Sequence, residues 1–392
     1  MPMLIILALI FFCYLINQEA LQQTKTAVLL MFSAALFIMG WRSVTYTGDN
    51  IAYAAFYQLN AQQSLQDAWN NVQEGNGKDP CFYLLGNVFS SLGFTYRGWF
   101  VFIAAVFLGG FCYLMYHRSR SYSLSMFFMI TLGYFYFAMT GLRQAMAMGL
   151  CYIAFEFVCR RKFWWFLLFT FLAGLMHSSA FVFFIMYPLS FVKVDILKYA
   201  VLDLGALLAA LLFPGLLGYL VQNFAWNEHL AAYGQWTNGL TISGYCIQSA
   251  ILVFCLWAYY QKGEVRAARN NSPSNTAVGE NSAVAPGTAP AFDCSKPTAA
   301  VLLEDNTLQC GLNALALGAA LQAFAINIDN FFRIAMYFSA IAAFILPGLM
   351  ERVREQEKPF VWTAVVAVCL WFMFHSRAFS HFTMFDPLPF TI

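Results

Sequence analysis

Charge is scarce in this sequence. Asp, Glu, Lys and Arg make up 10% of its 392 residues, where a soluble domain carries roughly 25%. What charge there is nearly cancels, leaving a net +2. No basic patch interleaved with aromatics is present, which excludes a nucleic-acid partner. No phosphate-binding P-loop occurs, so the chain drives no ATP-powered step of its own. Gly-x-Ser-x-Gly and His-Glu-x-x-His are missing too, which removes serine hydrolases and zinc proteases. Ten cysteines are present, but no Cys-x-x-Cys pair or Cys/His spacing forms a metal site, and most sit in apolar stretches as small hydrophobes. Neither a metal nor a cofactor is expected. Period-2 alternation is absent, which argues against an outer-membrane barrel. Carboxylates within apolar stretches come down to Glu156 and Asp203, too few for the acid relay of a proton-coupled transporter.

Apolar side chains fill the space that charge leaves. Hydrophobic residues reach 61%, including 42 Phe, more than a soluble fold of this length can hide. The apolar stretches are about as long as the ~20 residues that cross a hydrocarbon core. The sequence therefore predicts an all-α polytopic integral membrane protein with about 12 transmembrane helices. These fall near 2–17, 26–41, 98–116, 122–140, 142–159, 163–176, 178–192, 199–221, 242–260, 307–326, 332–350 and 359–375. A weaker stretch at 80–93 reads as a short span or a re-entrant segment.

Basic residues set the orientation, because short Lys- and Arg-rich loops stay in the cytoplasm. Five clusters qualify: Arg118/Arg120, Arg160-Arg161-Lys162, Lys193/Lys198, Lys262/Arg266/Arg269 and Arg352/Arg354/Lys358. The spans between them return each cluster to one side. The outer face then receives a loop at 42–97, the turns near 141 and 177, the 222–241 loop and the 327–331 turn. The stretch 263–305 is rich in Ser, Pro, Ala, Asn and Gly and reads as a flexible cytoplasmic linker. It divides the chain into an N-terminal transmembrane part, 1–262, and a C-terminal one, 306–392.

Polar residues at the outer ends of spans carry the functional information. Arg143 lies in TGLRQAMAMG between two apolar stretches, against the charge bias for that face, with Gln144 beside it and no acid near it in sequence. His177 forms the His-Ser-Ser turn of the next hairpin. Arg333 opens a later span, and Asp329 precedes it by four residues, a spacing that permits an ion pair on one helical face. Arg42, Asp49 and Tyr53 follow the second span, while Asp67, Glu74 and Asp79 read as solvated loop charges. In 222–241, Trp226, Glu228, His229 and Trp236 read as an interfacial belt. A set of cations with one or two acids at the outer surface suits an anionic, lipid-linked ligand.

The segment TGLRQAMAMGLCYIAFEFVCRRKFWWFLLFTFLAGLMHSSAFVFF (140–184) resembles the EpsG/Wzy-type family of bacterial polysaccharide polymerases. It has the Gly-Leu-Arg-Gln helix start, the basic turn and the His-Ser turn at the family's spacing. TYTGDNIAYAAFY resembles the family's Gly-x-Asp loop, departing by Asn50 after the acid, and NIDNFFRIAMYFSAIAAFILP its late Arg-x-x-x-Tyr-Phe span. The resemblance implies glycosyl transfer between undecaprenyl-diphosphate-linked oligosaccharides at the outer, periplasmic face of the bacterial inner membrane. Membrane lipid is then a further contact, and a flippase and a chain-length regulator are candidate partners. On that reading Arg143 and Arg333, with Arg42, Gln144 and Asp329, bind the diphosphate and saccharide. Arginine matches phosphate oxygens best. Either His177 or Asp49 serves as the catalytic base.

Three other readings compete with this one. A lipid-linked oligosaccharide flippase predicts charges along a path into the cytoplasmic half, and few are there. A membrane acyltransferase wants a cytoplasm-facing acyl-donor site, which is missing. A glycosyltransferase using a monosaccharide-phosphate lipid predicts acids in the first outer loop, where Asp49 stands.

Overall fold

A computed structural model describes residues 2–16, 24–43, 48–74, 79–215, 218, 219, 223, 242–270, 299–328 and 330–375. They are helical almost throughout, with no strand among the described residues. In chain order the helices begin with α1 (Pro2–Ile16), α2 (Lys25–Gly40), α3 (Gly48–Asn60), α4 (Leu65–Gln73) and α5 (Pro80–Ser91). Next come α6 (Tyr96–Arg118), α7 (Tyr122–Thr131), α8 (Tyr134–Thr140), α9 (Leu142–Cys159) and α10 (Phe163–Met176). A 3₁₀ segment, Ser178–Ile185, leads into the short α11 (Met186–Leu189) and then α12 (Ile196–Leu212). The chain continues with α13 (Ile242–Asn270), α14 (Ala299–Phe324), α15 (Asn330–Ser339), α16 (Ala342–Met350) and α17 (Lys358–His375).

Among the described residues three helices are long and apolar enough to cross a bilayer: Tyr96–Arg118, Leu142–Cys159 and Ile242–Gln261. Two broken pairs raise the number to five: α7 with α8, bent by 59°, and α15 with α16, bent by 45°. Other apolar helices run only 10–17 residues, so the count by length and composition is three to five, below the expected dozen. The break between α7 and α8 falls at Gly133, whose φ of +86° lies in the left-handed region that only glycine enters freely. The outer faces of several helices are apolar. On α12, Val201, Leu204, Leu208 and Leu212 are all more than half exposed. Water does not tolerate such a stripe and lipid does, so the chain is a membrane protein.

Helix α9 is the axis of the fold. It is buried along most of its length and packs closest against α6. Glycine permits that approach: a Cβ on Gly110 would lie 1.9 Å from the Gly149 carbonyl oxygen, and one on Gly149 2.5 Å from that of Val106. At 1.5 Å per residue, α9 separates Arg143 from Glu156 by roughly 20 Å. Near its C-terminus, the fully buried Glu156 takes a bidentate ion pair from Arg118, through Nε and through Nη2 at 3.0 Å. A second arginine, Arg160, reaches the same carboxylate at 2.5 Å. Arg118 goes on to donate to Thr307 at 3.0 Å, and Arg161 to the Ser190 carbonyl at 3.0 Å. Members of two basic clusters thus converge on one end of the bundle.

Both ends of the stretch expected as a linker, 263–305, are helical. Helix α13 runs on to Asn270 and α14 already begins at Ala299, leaving 271–298 outside the described residues. The two flanking parts pack together through polar contacts. Asn313 donates to the Leu189 and Val192 carbonyls at 2.8 and 2.9 Å, and Gln309 to that of Ser190 at 2.7 Å.

The expected outer loop 42–97 is also largely helical. Helices α3 and α5 gather against the start of α6 around Tyr57, Phe82 and Trp99. Tyr57 donates to the Phe94 carbonyl at 2.7 Å, and Asn87 bonds the carbonyls of Asn60 and Gln63 at 2.7 and 3.1 Å. This cap lies against the N-terminal end of α9, opposite the basic clusters.

Candidate active site

The cap brings an acid to Arg143 and His177. The carboxylate of Asp79 accepts from His177 Nδ1 at 2.7 Å and pairs with Arg143 Nη1 at 3.0 Å, both through Oδ2. Its other oxygen, Oδ1, accepts the Ser178 backbone N–H at 2.9 Å. The Asp79 side chain is fully buried, while Arg143 and His177 keep 17% and 14% of theirs exposed. The acid is therefore inside, with Arg143 and His177 at its rim.

Local sequence builds each contributor. Asp79 precedes Pro80, which opens α5 with a ready-made helical φ. Asp79 itself adopts φ 57°, ψ 59°, a left-handed conformation that costs a non-glycine residue about 1–2 kcal/mol. Aspartate tolerates that region better than most, and three contacts to the carboxylate hold it there. His177 is extended, ending α10 through its N–H to Ala173 and heading the 3₁₀ segment. The turn is tight because Gly174 faces Phe181, which a Cβ would approach to 2.2 Å.

Burial of Asp79 opposes its ionisation. The hydrogen bond and charge of His177, the Arg143 guanidinium and the Ser178 amide outweigh it, and hold the carboxyl down at about 2 from an ordinary 3.8. An ionised carboxylate only accepts, so the proton of the shared bond sits on His177 Nδ1. In the neutral ring Nε2 carries the lone pair, and it has no hydrogen-bond partner among the described residues. This is the arrangement a general base needs.

Arg143 is held by more than Asp79. Its Nε donates to the Tyr53 hydroxyl at 3.3 Å, and its guanidinium lies 5.9 Å from the ring centroids of Tyr53 and Tyr83. Gln144 turns the other way and donates its amide to the backbone carbonyl of Arg333. Tyr337, one turn beyond Arg333, bonds Ser179 at 3.2 Å and lies within electrostatic reach of both Arg333 and Asp79. Residues 79, 143, 144, 177 and 333 thus form one neighbourhood drawn from four parts of the chain.

The remaining residues singled out in the sequence fall elsewhere. Arg42 is buried to 1% and caps helix ends: it donates to the Met39 carbonyl of α2 and, at 3.0 Å, to the Met139 carbonyl of α8, with its guanidinium 5.1 Å over the Phe100 ring. Asp49 sits exposed in the first turn of α3, where an acid suits the helix dipole. Asp329 lies outside the described residues, as do Trp226, Glu228, His229 and Trp236. Asp79 was read from the sequence as a solvated loop charge; its ion pair with Arg143, which has no acid near it in sequence, overturns that reading. One signal was available. Asp79 directly precedes an apolar helix start, a poor position for a freely hydrated charge. Among the described residues no three His, Cys, Asp or Glu side chains converge on a metal-sized point.

No curated protein matches the chain, and no solved structure does. The sequence pattern of one family does, over residues 25–390. That range contains every residue of the cluster just described. The chain belongs to the EpsG family.

Proposed function

We propose that this protein is a membrane glycosyltransferase of the polysaccharide-polymerase type. It transfers a saccharide chain from one undecaprenyl-diphosphate carrier to a hydroxyl of the next lipid-linked unit, at the periplasmic face of the bacterial inner membrane. Membership of a family associated with polysaccharide polymerisation supports the reaction class. The observation that carries the site is the Asp79–His177 hydrogen bond, with Nε2 left open. Its position at the end of α9 opposite Glu156 and its arginines supports the outer face, because basic residues stay inside. On this reading the twelve apolar stretches all cross, several as short or broken helices.

The acceptor hydroxyl approaches His177 Nε2, which takes its proton as the oxygen attacks the anomeric carbon of the donor. The bond from that carbon to the diphosphate oxygen breaks, and the diphosphate leaves with the electron pair. Asp79 keeps the imidazole in the required tautomer and stabilises the imidazolium that forms. Arg143, with two sides spent on Asp79 and Tyr53, positions the acid and borders the saccharide path. Arg333 supplies positive charge for the leaving diphosphate. Arg42 acts from a distance by fixing the ends of α2 and α8. A flippase and a chain-length regulator would work beside it.

The test is polymer production in cells lacking the protein. Wild type, His177→Gln and Asp79→Asn are compared at matched membrane levels. Loss of long polymer while single repeat units still reach the outside supports polymerisation. Failure of single units to appear outside would favour the flippase reading instead.

A further inference from the structure

Three arginines mark the outer end in the sequence, and the fold spends two of them. Arg42 is taken up by helix-end carbonyls and the Phe100 ring, and Arg143 by Asp79 and Tyr53. The guanidinium of Arg333 makes no hydrogen bond or ion pair among the described residues, and its Nε is buried without an acceptor. Gln144, tied to the Arg333 backbone through its amide nitrogen, has the complementary defect. It is 98% buried, and its Oε1 has no donor. Buried polar atoms are nearly always satisfied, so two orphans of opposite kind on linked residues call for a partner.

We infer that Arg333 and Gln144 form a subsite reading a sugar joined through its anomeric oxygen to phosphate, with a hydrogen-bond donor at the neighbouring carbon. The inference rests on the glycosyl-transfer reading. A phosphate oxygen accepts from Arg333 Nε. A hydroxyl or acetamido N–H on carbon 2 of the same sugar donates to Gln144 Oε1. A sugar phosphate offers both from adjacent positions. Arg333 thereby becomes the leaving-group cation, and Gln144 a specificity-determining residue. Loss of a hydrogen bond to a charged group lowers affinity by roughly ten- to a hundredfold.

The experiment measures equilibrium binding to the purified full chain in lipid nanodiscs, so that no turnover is required. The probes are farnesyl diphosphate, farnesyl diphospho-N-acetylglucosamine and the 2-deoxyglucose analogue. Wild type is expected to bind the acetamido sugar about tenfold or more tighter than the 2-deoxy sugar. Arg333→Gln weakens all three probes. Gln144→Met, which keeps length but offers no acceptor oxygen, erases the preference between the two sugars, read as the ratio of their affinities within that variant. Equal binding of the two sugars by wild type overturns the Gln144 assignment. A loss confined to Arg143→Gln, with Arg333→Gln binding normally, overturns the Arg333 assignment. Failure of polymer production to depend on this protein would overturn the glycosyl-transfer reading and leave the binding result to be judged separately.

Discussion

Asp79 and His177 stand 98 residues apart in the chain, and their side chains share a hydrogen bond of 2.7 Å. Asp79 comes from the start of α5 in the cap and His177 from the turn after α10, so the bond also fastens the cap to the bundle. Ser178 and Arg143 complete the grip on the same carboxylate.

If the two residues act as one unit, their removal is not additive. His177→Gln is expected to lower polymerisation by about a hundredfold or more, the range of general-base catalysis. Asp79→Asn should cost at least tenfold, because it loses the charge that steadies the imidazolium. The double variant should be no worse than His177→Gln alone. Initial rates of polymer extension in washed membranes measure all three; multiplied losses in the double variant would mean that the residues act separately.

The depressed Asp79 carboxyl links stability to acid. With a folded value of about 2 and an ordinary 3.8, it binds protons more readily unfolded than folded. Its contribution is therefore complete above pH 3.8 and lost as the pH falls toward 2. A depression of that size is worth about 2 kcal/mol. Thermal unfolding in detergent should show wild type losing more stability between pH 5 and pH 2.5 than Asp79→Asn does. Parallel curves would count against the linkage.

Helices α6 and α9 meet where glycine leaves no room for a Cβ. Gly149→Ala pushes a methyl toward the Val106 carbonyl and the Phe107 Cα at 2.5 and 2.7 Å, and backbone cannot yield as a side-chain tip does. Overpacking of this kind costs about 1–3 kcal/mol. The melting temperature should fall by several degrees, whereas Gly109→Ala, which faces open space, should change it little. Equal shifts would refute the close-packing argument.

Glu156 pairs with two arginines, and Arg118 keeps only 3% of its side chain exposed. Glu156→Gln strands that charge, at a cost of about 3–5 kcal/mol for a broken buried pair. Low membrane yield or early unfolding is the expected result, with partial recovery in Glu156→Gln/Arg118→Met. No recovery would imply that Arg118 serves another purpose.

Much of the helical layout could be read directly. Helices fall on the apolar stretches because an unpaired backbone group is costly in lipid, and a helix satisfies its own. Gly133 broke one stretch without an obvious warning, since isolated glycines also occur in straight helices. The cap 42–97 was harder to read. Its helices are polar enough to pass for loop, and they are stabilised by Tyr57, Phe82 and Trp99 packing on α6, contacts that sequence spacing does not display.

The sequence by itself determined the membrane class, the helical content and the identity of Arg143, Gln144, His177 and Arg333 as residues needing an explanation. Composition and local spacing suffice for that, because the bilayer penalises each stray charge where it stands. The tertiary structure alone decided which of those charges are spent. Asp79 reaches Arg143 across 64 positions and His177 across 98, and pairings over such distances depend on how helices pack rather than on any local pattern. The same packing spends Arg42 on helix ends and leaves the Nε of Arg333 without an acceptor.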